Sequence, residues 1–123
     1  MNDPEVTMSK AIAPGTLIAQ SRAIEAAGQA ITLVMKVSAP LKSIADQTIR
    51  SATSVPANLA EGHGRCGRDR AHFWRIAYAS AKEVDSHLKL LAAARAIDAT
   101  RAEETLAAFD EVRAMTWRLL NRK

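Results

Sequence analysis

The chain has 123 residues, enough for one hydrophobic core and too few for two. Hydrophobic residues at 48% with charged residues at 24% exclude a disordered chain, and no apolar run approaches the roughly 18 residues a membrane span requires. The net charge of +4 points towards an acidic partner, and the single cysteine, Cys66, excludes an internal disulfide and fits a reducing cytoplasm.

Residues 1–14 show no apolar period and read as a flexible arm; Asp3 and Glu5 interrupt any apolar secretory core. Residues 15–123 read as one domain. Leu17, Ile24 and Ile31 repeat every seven residues, with Ala27 and Val34 between them, which predicts a first helix ended by Ser38, Ala39 and Pro40. Leu41, Ile44, Thr48, Ala52, Val55 and Leu59 form the stripe of a second helix that stops at Gly62 and Gly64. A third helix is predicted from Gly67 or Arg68 to about Ala96, with Phe73, Ala77, Ala81, Val84, Leu88 and Leu91 inward. Thr100 and Glu103 fit a capping box that opens a fourth helix, with Leu106, Phe109, Val112, Thr116 and Leu119 inward. Four helices of roughly 20–27 residues joined by short loops predict an all-α, antiparallel up-down-up-down bundle.

Pro56 lies inside the second helix, where its ring opposes the carbonyl of Ala52 at a cost of about 3 kcal/mol. The apolar stripe stays in phase across it, which predicts a kink near Pro56 with Thr53 and Ser54 serving the released carbonyls. Ser54, Asn58, Glu61 and Arg65 step by four, three and four along one face. Glu61 and Arg65 are placed to pair. Asn58, a poor helix former, is expected to join a hydrogen-bond network across the bundle with Glu83 as partner.

The string SVPANLAEGHGR, followed by HFWRIAYASAKEVDSHL, resembles the four-helix bundle proteins first named for open frames within intervening sequences of bacterial 23S ribosomal RNA. Gln47, Arg50, Ser54, Pro56, Asn58, Ala60, Glu61, Gly62, Gly64 and Arg65 match the family motif, as do Phe73, Ile76, Ala77, Ser80 and Glu83. Cys66 stands where the family usually has serine, and Ala79 where it has glycine. The resemblance implies a left-handed bundle assembled into a ring, commonly a homopentamer. It also implies a likeness in fold to the accessory variability proteins of diversity-generating retroelements, which bind nucleic acid and a reverse transcriptase.

The charge is concentrated. Residues 62–82 hold five basic side chains (Arg65, Arg68, Arg70, Arg75 and Lys82) against one acid, Asp69. Arg65, Arg68, Arg70 and Arg75 are the candidate contacts to an RNA or DNA backbone, with His72, Trp74 and Tyr78 as stacking candidates. The alternatives are a solubilising basic end, or a scaffold that meets a reverse transcriptase or another nucleic-acid enzyme without touching nucleic acid. A carboxylate-bridged metal pair needs Glu-x-x-His elements, and the chain has none, so neither metal nor cofactor is expected. Cys66 lacks a histidine–carboxylate relay, so no enzyme is expected. Met35, Met115, Trp117 and Leu120 lie outside the inward stripes, which predicts burial by a second copy in a homo-oligomer.

Overall fold

The computed structural model describes residues 17–122, and these form four helices with no strand among them. They are α1 (Ile18–Val34), α2 (Lys42–His63), α3 (Gly67–Ala93) and α4 (Ala99–Leu120). Each packs on two others: α2 on α1 and α3, and α4 on α3 and α1, so all four surround one core. The predicted arm at residues 1–14 lies outside the described residues. No described helix is long and apolar enough to cross a membrane.

The core is built from Phe109, Leu59, Leu88, Leu91 and a set of valines, all fully buried, wrapped by alanines. In α1 the inward face differs from the heptad of Leu17, Ile24 and Ile31. Ala19, Ala23, Ala26, Ala27, Ala30, Leu33 and Val34 are buried there, whereas Ile24 is 41% exposed. Alanine occupies the line of closest approach because it has no bulk to hold α1 away from α2 and α4, which displaces the isoleucines to the flanks. α1 also ends at Val34, a turn before Ser38, where the Met35 N–H reaches the Ile31 carbonyl.

α2 carries the predicted stripe, with Thr48, Ala52, Val55 and Leu59 buried and Leu41 and Ile44 partly so, and it buries Ala45 in addition. The Thr48 hydroxyl donates to the Ile44 carbonyl at 2.8 Å, so a polar group enters the core with its hydrogen bond made inside its own helix. The helix runs unbroken through Pro56. Thr53 and Ser54 do not serve the carbonyl of Ala52: Thr53 Oγ1 donates to Arg50 O at 3.1 Å, and Ser54 turns to the neighbouring helix.

In α3 the buried aromatic is Trp74, not Phe73, which is only partly buried. α3 ends at Ala93 because Arg95 adopts a left-handed φ of 62° and the N–H groups of Arg95 and Ala96 return to the carbonyls of Ala92 and Leu91. This is the Schellman arrangement, with arginine where glycine is usual. α4 is opened by Asp98, not by a Thr100–Glu103 box: Asp98 Oδ2 accepts from the Arg101 N–H at 2.8 Å. Aspartate two residues upstream is the stronger cap and takes the position.

Candidate functional site

The motif residues converge on a polar seam between α2 and α3. Asn58 Nδ2 donates to Ser54 O at 2.8 Å and to Ser54 Oγ at 3.0 Å. Ser54 Oγ and Ser80 Oγ share a hydrogen bond at 2.9 Å across the helix pair. Since Ser54 Oγ accepts from Asn58, its own hydrogen is available to Ser80. One turn away, Ser51 Oγ donates to Glu83 Oε2 at 2.9 Å. Asn58 therefore reaches the next helix through Ser54 and Ser80, and the partner of Glu83 is Ser51, a residue the sequence pattern did not single out. Gln47 and Arg50 complete the rim of this seam.

The seam leads to the α2–α3 turn, where the arginines separate into two kinds. Arg65 ties the turn together: its Nε lies 3.0 Å from Glu61 Oε2, NH1 lies 3.8 Å from Asp69, and the guanidinium sits 4.7 Å from the centre of the Phe73 ring. The predicted Glu61–Arg65 pair is thus present. Arg70 caps the end of α2, donating from Nε to Gly62 O and from NH2 to His63 O, each at 3.1 Å, and its guanidinium lies over the Trp74 ring. Gly62 O also accepts from the Arg65 N–H at 3.1 Å, so the Arg70 guanidinium adds to the donors that serve the carbonyls of this helix end. Arg68 and Arg75 are exposed, and among the described residues their side chains make no ion pair or hydrogen bond.

Gly62 is present for space. A Cβ there would lie 2.5 Å from Trp74 Cδ1 and 2.6 Å from its Nε1, so only glycine lets the indole close over α2. Trp74 itself is 6% exposed, with Nε1–H donated to Leu59 O at 3.2 Å. It is a core residue and unavailable for base stacking. His72 is exposed and packs edge-on against Phe73, and Tyr78 is half-buried. Gly64 has an ordinary helical φ of −80°, and a Cβ there would meet the carbonyl oxygens of Glu61 and Ala60 at no less than 3.8 Å, an ordinary contact. Cys66 occupies the N-cap of α3 without a side-chain hydrogen bond, so the hydroxyl usual at this position has no substitute.

Among the apolar residues expected to need a neighbour, Met35 and Trp117 are exposed, whereas Met115 and Leu120 pack against the core. Ile18, Ile24 and Leu90 are exposed in addition. The sequence reading did not single out Lys82 and Arg118 as site residues. The signal for Lys82 was available, since Arg68, Arg75 and Lys82 repeat every seven residues along one face of α3. Among the described residues no group of three or more histidine, cysteine, aspartate or glutamate side chains is placed to hold a metal ion.

This four-helix architecture, with its motif-built seam between α2 and α3, defines the class. Residues 16–118 match the model of the 23S rRNA-intervening sequence protein family, and the chain belongs to that family. In fold it is similar to a crystal structure from Bacteroides thetaiotaomicron, described as a protein with unknown function from the S23 ribosomal protein family. The TM-score is 0.77 at 22% identity, over 85% of this chain and 99% of that one. No curated protein matches the sequence.

Proposed function

We propose that this protein is a non-enzymatic, cytoplasmic bundle that binds the backbone of RNA or DNA through the basic surface at the α2–α3 turn and along α3. The observation that carries the reading is the pair of exposed arginines, Arg68 and Arg75, which have no side-chain partner among the described residues, in line with Lys82. Arg65 contributes charge from a position set by Glu61 and Asp69, and Arg70 serves chiefly the fold. Phosphate contact of this kind neutralises charge without reading bases, so affinity falls steeply with salt and varies little with sequence. The short connections support an antiparallel up-down-up-down course, with α2 bending at Pro56 to carry the turn.

A second reading, a homo-oligomeric assembly module such as a pentameric ring, is favoured by the exposure of Met35, Ile18, Leu90 and Trp117 on a small chain. The two are compatible, since a ring multiplies weak basic surfaces. The test is the charge-reversed double variant Arg68→Glu with Arg75→Glu, assayed against labelled duplex and single strands beside light scattering. Loss of binding with the assembly intact is the expected result. Undiminished binding would reject the basic surface.

A further inference from the structure

A groove of about 760 Å³ runs between α3 and α4, lined by Tyr78 and Lys82 on one side and by Asp110, Arg113, Trp117 and Arg118 on the other. Trp117 is 54% exposed, in a chain that buries its other tryptophan almost completely. Arg113 is held by Asp85 at 3.8 Å and by Asp110, so it forms a largely neutralised floor. Lys82 and Arg118 are exposed, without a salt bridge or side-chain hydrogen bond among the described residues. The groove thus offers an exposed indole together with two cations, Lys82 and Arg118, that are unpaired among the described residues. Lys82 is also the last step of the Arg68–Arg75–Lys82 line, in which successive charges rise about 10 Å along α3.

We propose that this groove seats unpaired nucleotides of a single strand, with a base stacked on Trp117 beside Tyr78 and backbone phosphates on Lys82 and Arg118. The inference rests on the nucleic-acid reading above and adds a polarity to it: the arginine line tracks the backbone, and the Trp117 groove selects strands whose bases are free. An aromatic face accepts any base, because every base has a π-surface, whereas a duplex keeps its faces stacked internally. Cations on both walls disfavour a purely apolar helix as the occupant and complement a phosphodiester chain.

The experiment titrates the full chain with a fluorescein-labelled oligothymidylate and with a labelled duplex of equal length, reading anisotropy and tryptophan emission. Single strands are expected to quench Trp117 emission. Trp117→Leu, at an exposed position where folding is retained, should weaken oligothymidylate binding roughly 5- to 100-fold while leaving duplex binding unchanged. Lys82→Glu with Arg118→Glu should weaken single-strand binding as well. Three results overturn the inference: unchanged oligothymidylate affinity in Trp117→Leu, equal losses for both nucleic acids, or dissociation of an oligomer with affinity preserved, which would make Trp117 a subunit contact. If Arg68→Glu with Arg75→Glu abolishes duplex binding while Trp117→Leu changes nothing, the groove assignment fails and the backbone reading stands. If the unaltered chain binds neither probe, both fall.

Discussion

Replacing Gly62 with alanine tests how the family motif builds the turn. The added methyl would sit 2.5 Å from Trp74 Cδ1, 2.6 Å from Nε1 and 3.0 Å from the Arg70 carbonyl oxygen, so either the indole or the α3 backbone must move. The indole is not free to move: it is buried, its Nε1–H is bonded to Leu59 O, and Arg70 covers its face. Overpacking of this kind costs about 1–3 kcal/mol, and a broken buried hydrogen bond about 1 kcal/mol more. Alanine returns about 1 kcal/mol through its helix propensity, leaving a net loss of about 1–3 kcal/mol. For a domain of this size that is a fall in Tm of roughly 5–12 °C, read by circular dichroism. Gly28→Ala is the control: it is also helical and nothing lies within 4 Å of its Cβ position, so that variant should gain roughly 0.5–1 kcal/mol. In a Trp74→Leu background the cost of Gly62→Ala should shrink, because the clashing ring is gone. An unchanged or raised Tm in Gly62→Ala alone would refute the reasoning.

Other outcomes follow from the helix ends. Cys66→Ser should stabilise by about 0.5–1 kcal/mol in urea titration, since a hydroxyl at the N-cap can accept from the first turn of α3 where the thiol accepts nothing. Arg95→Gly should stabilise by up to about 1 kcal/mol, because glycine takes the left-handed φ without strain. Arg70→Met should destabilise by about 1–2 kcal/mol and speed amide exchange at the end of α2, since it removes the guanidinium donors to the carbonyls of Gly62 and His63, leaving Gly62 O with the Arg65 N–H.

Much of this fold was legible in periodicity, and the failures have physical causes. The stripe of α2 and most of those of α3 and α4 follow from spacing alone, because leucine, valine and phenylalanine point inward wherever packing leaves room. α1 misled because hydrophobicity ranks isoleucine above alanine, whereas close helix approach rewards the smaller residue. The same competition exchanged Phe73 for Trp74: Gly62 provides a slot on the facing helix, and that slot is a tertiary fact invisible along one strand of sequence. The end of α3 was overrun by a turn because Arg95 carries no glycine signal. At the candidate site the Glu61–Arg65 pair was readable from its four-residue step. The division of labour between Arg70, which caps, and Arg68 and Arg75, which stand exposed, was not, since all four arginines look alike until the carbonyls of α2 are in place.

The most direct measurement of the central claim is the slope of log Kd against log salt for a labelled nucleic acid. If Arg68, Arg75, Lys82 and Arg118 meet phosphates, affinity should fall with a slope of roughly 0.7–0.9 per contact, and Arg68→Ala should reduce the slope by about that amount. A flat slope, or one unmoved by removing Arg68, would contradict the account.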